Sequence, residues 1–408
     1  MNKALAFLSS RWGLFILFII ALAIRLIAVD MLSAPPEKDA LQYHQIALHL
    51  VSGAGFSLDG LEPTTLRPPL YPLFIAAVYA LFGVEYHHVL MVQAVIHAAL
   101  VFPVFWLALR ISGSAVVGWI AAGLFSVLTS FEIVTRLYAE NMLILLMLAF
   151  VIVIYRMLSH VTHRGRYAVA AGVLAGLMGL TKPEFAMLGM ATFLFALLWR
   201  STRTYWRLWL MLSIVSLLVV GGWQMRSFNV PPSGQSFANE TLIFSNCPAL
   251  LGDGLWAVTD MARLEQQRER CHRELDALPR EQLVAKVRQI WLDDPLMMIK
   301  LIVNRVLILW VSPPVGSSAL AALSPLVVWV ALLGQYLIVA LALAAMLTGF
   351  SGRKEMFPFL LVVVYMTVIY GLLHSIRRYG YPFAPELCIM FSCGLLMLYD
   401  KWKKRKGE

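Results

Sequence analysis

Charge is scarce in this chain. Of 408 residues only 14% are Asp, Glu, Lys or Arg, against about 25% in a soluble domain, while 60% are hydrophobic and the mean hydropathy is +0.76. So apolar a chain would expose more hydrocarbon than water tolerates, which excludes a soluble enzyme and makes the bilayer its solvent. Runs such as Leu14 to Ile24 and Met142 to Ile154 lack the alternating polarity of barrel strands, so an all-α polytopic membrane protein is expected. Cysteine is nearly missing, with four residues in all. Cys388 and Cys393 fall inside an apolar run and read as packing residues. Cys247 and Cys271 share a polar loop, where an oxidising compartment permits but does not require a bridge. There is no Walker loop, no dinucleotide glycine motif, no His-Glu-x-x-His and no Cys-x-x-Cys, which argues against a nucleotide-driven pump. His44, His49, His87 and His88 match no standard metal-site spacing.

Acidic residues are the rarer sign, 23 against 33 basic, for a net charge of +10. The excess reads as membrane topology rather than nucleic-acid binding. Hydropathy gives about ten spans, near 12–32, 88–110, 115–135, 141–157, 167–181, 184–199, 208–225, 323–348, 356–374 and 382–399. With the N-terminus inside, one face collects 16 basic and three acidic residues, a sum of +13, and the rest of the chain sums to −3. The positive-inside rule then predicts a multi-pass protein of the cell (inner) membrane with both termini cytoplasmic. The first span is expected to be an uncleaved anchor. The chain divides into an N-terminal transmembrane module (1–225, including a first external loop at 33–87), a second external loop (226–322) and C-terminal spans with a basic tail (323–408). Residues 69–83 and 296–311 are apolar but short or interrupted, and are expected as interfacial helices. Between them, Leu264, Leu275, Leu278, Leu283 and Val287 are spaced for one apolar helix face in a solvated cap.

Ionisable groups at the outer ends of spans carry the chemical information, because burying them costs several kcal/mol unless they are paired or hydrated. Asp30, Glu37, Asp39, Arg67, Glu132, Arg136, Glu140, Lys182, Glu184, Arg226, Arg377, Arg378 and Glu386 all fall there. The set reads as an outward polar cavity, with carboxylates for acid or base work and cations for an anionic ligand. Asp39 suits a helix N-cap and equally a general base for an attacking hydroxyl. Arg67, set between Leu66 and Pro68-Pro69, suits a lipid phosphate or ordinary headgroup snorkelling. Glu140 stands four residues after Arg136, so a local helical pair competes with a role in the cavity. Lys182 and Glu184 flank Pro183 in a tight turn, and the external Lys breaks the charge trend. Arg377-Arg378-Tyr379 breaks it more strongly, and two adjacent arginines favour a phosphate.

The order of these motifs resembles a known family. Asp39 with Tyr43, Gly53-Ala54-Gly55-Phe56, Arg67-Pro68-Pro69-Leu70-Tyr71-Pro72 and Phe82-Gly83 resemble the opening of GT-C glycosyltransferases of the protein O-mannosyltransferase and lipid A aminoarabinose transferase type. Glu140, the stretch Gly172 to Pro183, Trp223 to Arg226, and Arg378-Tyr379 continue the likeness over nearly the whole chain. The resemblance implies a GT-C fold with about ten transmembrane helices and interfacial helices in two large external loops. It also implies transfer of one sugar from a polyprenyl-phosphate donor to a glycan, lipid or protein acceptor on the extracytoplasmic side. Asp39 and Glu140 are then the catalytic candidates. Glu37, Tyr43, Arg67, Tyr71, Lys182, Glu184, Arg226, Arg377, Arg378 and Tyr379 are the substrate-binding candidates. One departure is that Asp39 is followed by Ala40, where many members carry a second acid. No metal ligand is assigned, and a divalent ion is compatible with the chemistry but not required by it, since cations could stabilise the departing phosphate. Membrane lipids are expected partners and nucleic acid is not. A transporter or flippase of a lipid-linked sugar, and an oligosaccharide polymerase or ligase, are the competing readings.

Overall fold

A computed structural model describes residues 11–128, 131–160, 162–227, 278–311, 325–345 and 354–406, with scattered positions between 230 and 275. Among the described residues the chain is helical, apart from one isolated antiparallel bridge between Ser57 and Pro63. Each of the ten apolar segments read from the sequence overlaps at least one helix among the described residues, and 88–110 is divided between Tyr86–Ala99 and Val101–Ser112. Six helices are long and apolar enough to cross a membrane: Trp12–Leu32, Tyr86–Ser112, Glu140–Ser159, Arg203–Arg226, Lys354–Leu372 and Arg378–Lys406. Leu70–Phe82, Ala115–Val127 and Pro183–Leu198 are apolar but shorter. A 13-residue helix such as Leu70–Phe82 rises about 20 Å, less than the ~30 Å hydrocarbon core. Length and composition therefore support six crossings among the described residues, rather than settling on ten.

The helices that position the site begin with α1 (Arg11–Leu32), α2 (Asp39–Val51), α3 (Leu70–Phe82) and α4 (Tyr86–Ala99). Further along come α5 (Glu140–Ser159), α6 (Arg164–Gly179), α7 (Leu188–Leu198), α8 (Trp206–Ser227), α9 (Pro295–Val311), α10 (Phe357–Leu372) and α11 (Ala384–Lys406). The principal core is built from both halves of the chain, including Phe125, Phe150, Phe185, Trp209, Phe357, Phe359, Tyr370 and Phe383. A second cluster packs α2, α3 and α4 together through Tyr43, Ala47, Tyr71, Ile75, Tyr79, Val89 and Leu90. Glycine sets how closely α6 approaches its neighbours. A Cβ added at Gly172 would stand 2.6 Å from the Leu212 carbonyl oxygen, and one at Gly176 would stand 2.6 Å from the Val219 Cβ. The Gly-rich segment is thus the seam along which α6 meets α8.

Two buried arginines reach backbone carbonyls of other helices. Arg25 of α1 donates to the carbonyls of Ala21, Phe125 and Ser126. Arg305 of α9 is 3% exposed and donates to the carbonyls of Gly371 and Leu372, at the end of α10. The Arg305 guanidinium thus meets carbonyls that α10 leaves unsatisfied at its C-terminal end, where the dipole is negative. Ile243, Leu275, Leu283 and Val287 form a small cluster with Leu278 and Trp291 around the helix Arg280–Asp293. Those positions agree with the expected apolar face. Leu264, Cys247 and Cys271 lie outside the described residues.

Candidate active site

Five separate stretches of chain meet at one cleft. Asp39 is the first residue of α2, which starts after the strained Lys38 (φ 50°). Arg67 sits just ahead of α3, held by Pro68-Pro69, and Leu70 N–H donates to the Leu180 carbonyl, which ties this loop to the end of α6. Glu140 opens α5. Lys182 and Glu184 occupy the turn between α6 and α7, where Pro183–Phe185 forms a single 3-10 turn. Arg378 and Tyr379 come from the short 3-10 segment Arg377–Phe383 that precedes α11. Prolines, helix starts and tight turns thus hold every charged group on backbone whose course is fixed, which suits a preorganised site.

The cleft is lined by Asp39, Tyr43, Arg67, Tyr138, Glu140, Lys182, Glu184, Arg378 and Tyr379, among others. Its charges form one connected network. Arg67 Nη2 lies 2.7 Å from Asp39 Oδ1, and Arg378 Nη2 lies 2.6 Å from Asp39 Oδ2. Arg378 Nε also lies 3.2 Å from Glu140 Oε1, and Lys182 Nζ donates to the same oxygen at 3.0 Å. Arg378 therefore bridges the two carboxylates, across 339 residues of chain to Asp39. Aromatic rings complete the cations' surroundings. Lys182 Nζ is 3.4 Å from the centre of the Tyr379 ring, and the Arg378 guanidinium is 4.1 Å from that of Tyr138.

Burial and charge oppose each other here. Burial pushes the Asp39 carboxyl up, but Arg67 and Arg378 outweigh it and bring its pKa down to about 2. Burial acts to lower Lys182, yet Glu140 holds it well above the ordinary lysine value, so it stays charged. Tyr43 is raised above its usual range by burial and stays neutral.

The structure corrects several expectations. Asp39 makes no side-chain cap of its helix, because its oxygens are taken by the two arginines. Glu140 pairs with Lys182 and Arg378 rather than with Arg136 four residues before it. Tyr71 does not reach the cleft: it is fully buried, donates to Gln93 Oε1 at 2.5 Å, and supports Tyr43 edge-on at 5.1 Å. Glu37 is exposed, off the cleft lining, and contributes its backbone carbonyl to the start of α2. Arg226 is likewise outside the lining and clamps the loop between α2 and α3, donating to the Thr64 and Phe56 carbonyls at 2.9 and 3.3 Å. The Arg377 side chain lies outside the described residues. Two contributors escaped the sequence reading. Gln42 accepts from Arg67 Nε at 2.6 Å, and its position one helical turn after Asp39 could have signalled it. Tyr138, two residues before Glu140, had no such marker.

Residues 66–223 match the model of the dolichyl-phosphate-mannose-protein mannosyltransferase family. Across 96% of its length the chain superposes on the oligosaccharyltransferase of Archaeoglobus fulgidus, with a TM-score of 0.56 and 13% identity. The fold is that of the GT-C glycosyltransferases. The same archaeal enzyme, AglB, in complex with an inhibitory peptide and a dolichol-phosphate, superposes with a TM-score of 0.53 at 13% identity over 98% of this chain. The chain spans about half the length of that enzyme, 50% and 52% in the two structures. ArnT from Cupriavidus metallidurans bound to undecaprenyl phosphate gives a TM-score of 0.45 at 14% identity, over 95% of this chain and 78% of that one. No curated protein sequence matches the chain. Within the GT-C frame, the family match takes in Arg67, Glu140, Lys182 and Glu184, while Asp39 and Arg378 complete the cleft from outside the matched segment.

Proposed function

We propose that the chain transfers a single sugar from a polyprenyl-phosphate donor to an acceptor hydroxyl or amine on the extracytoplasmic side of the membrane. One observation carries this reading: Arg67, Lys182 and Arg378 converge on one cleft at the ends of apolar helices, around Asp39 and Glu140. Three cations face three carboxylates, Asp39, Glu140 and Glu184, so a phosphate would be held by displacing Asp39 from the guanidiniums of Arg67 and Arg378. A lipid phosphate suits the place, because its chain can lie among helices while its head enters the cleft. The family whose model matches residues 66–223 is described by a dolichyl-phosphate sugar, which supports the same donor class.

The chemistry follows from the charges. As the anomeric C–O bond breaks, its electron pair passes to the phosphate, and Arg67 and Arg378 stabilise the charge that develops there. The acceptor oxygen or nitrogen forms the new bond to the anomeric carbon from the opposite face, which inverts that centre, and its proton passes to Asp39. In the free protein Asp39 is a poor base, since two guanidiniums hold it near pKa 2. An arriving phosphate competes for those guanidiniums, loosens their hold and raises the basicity of Asp39 when a donor is bound. Glu140 stays with Lys182 and keeps that cation aimed at the phosphate.

A transporter carries its polar groups on broken helices near the bilayer midplane. Here they sit at helix starts and in turns, which favours the transferase. The positive-inside trend favours cytoplasmic termini and an external cleft. The test is to reconstitute the full chain in liposomes with dolichyl-phosphate-mannose and a mixed acceptor pool, then follow release of dolichyl phosphate. Release by the wild-type protein and none by Asp39→Asn supports the proposal, whereas equal release by both removes the assigned base. Movement of intact donor across the bilayer without release would favour the flippase.

A further inference from the structure

Every charge in the cleft is committed except one. Asp39 is held by Arg67 and Arg378, and Glu140 by Lys182 and Arg378. Glu184 lines the same cleft, and among the described residues no hydrogen bond or ion pair engages its carboxylate. Its Oε2 is buried and without a partner. The residue itself is fixed: Tyr365 donates its hydroxyl to the Glu184 carbonyl at 2.5 Å, and Pro183 and Phe185 hold the 3-10 turn, with the Phe185 ring 5.8 Å from that of Tyr365. The electrostatic neighbours of Glu184 are Lys182, Tyr365, Tyr370 and Tyr379, which puts it on the tyrosine wall rather than beside the Asp39 pair. Tyr370 on that wall also has a buried hydroxyl without a partner.

A buried carboxylate oxygen that nothing satisfies is costly, and a native site keeps one where a ligand supplies the missing donor. A phosphate cannot be that ligand, because like charge repels it. A hydroxyl can. A sugar attached to a phosphate seated at Arg67 and Arg378 would extend over the neighbouring wall. We infer that Glu184 accepts a hydrogen bond from a hydroxyl of the transferred sugar and so distinguishes a sugar-loaded lipid from the bare lipid phosphate. This rests on the polyprenyl-phosphate reading above, and it assigns separate residues to the two halves of the donor. Glu184 is therefore a determinant of which donor binds and in what orientation, while the arginines bind either lipid.

Binding of dolichyl phosphate and of dolichyl-phosphate-linked mannose, glucose and galactose to the full-length protein in nanodiscs tests the assignment. The wild-type chain is expected to prefer at least one sugar-bearing lipid over dolichyl phosphate. In Glu184→Ala that preference is expected to fall by about tenfold, the value of one hydrogen bond to a charged group, with affinity for dolichyl phosphate within about twofold of wild type. Glu184→Gln, which keeps the shape and an acceptor oxygen, is expected to fall between the two. Equal loss of affinity for loaded and bare lipids in Glu184→Ala, or an unchanged preference, would overturn the inference. Failure of the wild-type protein to bind dolichyl phosphate at all would instead overturn the donor reading on which it rests.

Discussion

Removing Glu140 should destabilise the protein more than removing Lys182, although the two form a pair. Their side chains are 2% and 9% exposed and 3.0 Å apart, so both charges are held away from water. Breaking such a buried pair leaves an uncompensated charge and costs about 3–5 kcal/mol. The network makes the two losses unequal. In Glu140→Gln, Lys182 and Arg378 both lose a carboxylate; Arg378 keeps Asp39 at 2.6 Å, but Lys182 is left with the rings of Tyr379 and Tyr370 and with Glu184, which does not pair with it directly. In Lys182→Met, Glu140 still has Arg378 at 3.2 Å, so less charge is stranded. The full cost, about 3–5 kcal/mol, is therefore expected for Glu140→Gln, and roughly half of it for Lys182→Met. The double variant, in which the lost charges cancel, should cost less than the sum of the singles. Thermal unfolding of the purified protein in detergent, followed by loss of the monodisperse peak, reads the order directly. Equal shifts for the two single variants, or additive shifts in the double, would refute the network and its bridging Arg378.

Three further outcomes follow. The Asp39 carboxylate is depressed to about 2 by its arginines, so its contribution to stability is complete above the unfolded value near 3.8 and is lost as pH falls through about 2. The difference in stability between wild type and Asp39→Asn should stay constant from pH 8 to pH 5 and shrink only on stronger acidification; a change between pH 6 and 7 would contradict the pairing. Gly176→Ala should destabilise by about 1–3 kcal/mol through overpacking, because its new methyl meets Val219 at the α6–α8 seam, and unchanged unfolding would argue against that close approach. Arg226→Ala should leave lipid-phosphate binding within about twofold while exposing residues 56–64 to limited proteolysis, since the lost contacts are backbone carbonyls of the loop rather than cleft groups; a large loss of binding would return Arg226 to the site.

Scarcity of charge made the membrane class and its helices legible, because each apolar run must satisfy its own backbone. The cleft was legible for a related reason. A charge at the end of an apolar helix is costly, so Asp39, Arg67, Glu140, Lys182 and Arg378 stood out one by one, and the fold brings these five together. What stayed hidden was direction. Arg226 is, like Arg67, an arginine beside an apolar run, yet its partners are carbonyls 162 and 170 residues away, which spacing along one helix cannot reveal. Local geometry also misled at Glu140, where an i, i+4 partner was available but long-range cations in a drier place hold it more strongly. Tyr71 shares its motif with Arg67 and points into the layer behind, since successive residues of a helix start face different ways. Span number was the least legible feature, because short apolar helices look alike whether they cross a membrane or lie against one.

The central claim is that a lipid phosphate is held where Arg67 and Arg378 now hold Asp39. An experimental structure of the full chain with dolichyl phosphate tests it most directly. The account expects the phosphate between the two guanidiniums, with Asp39 displaced from at least one of them and Lys182 still paired to Glu140. Phosphate bound elsewhere, with both arginines still on Asp39, would contradict it.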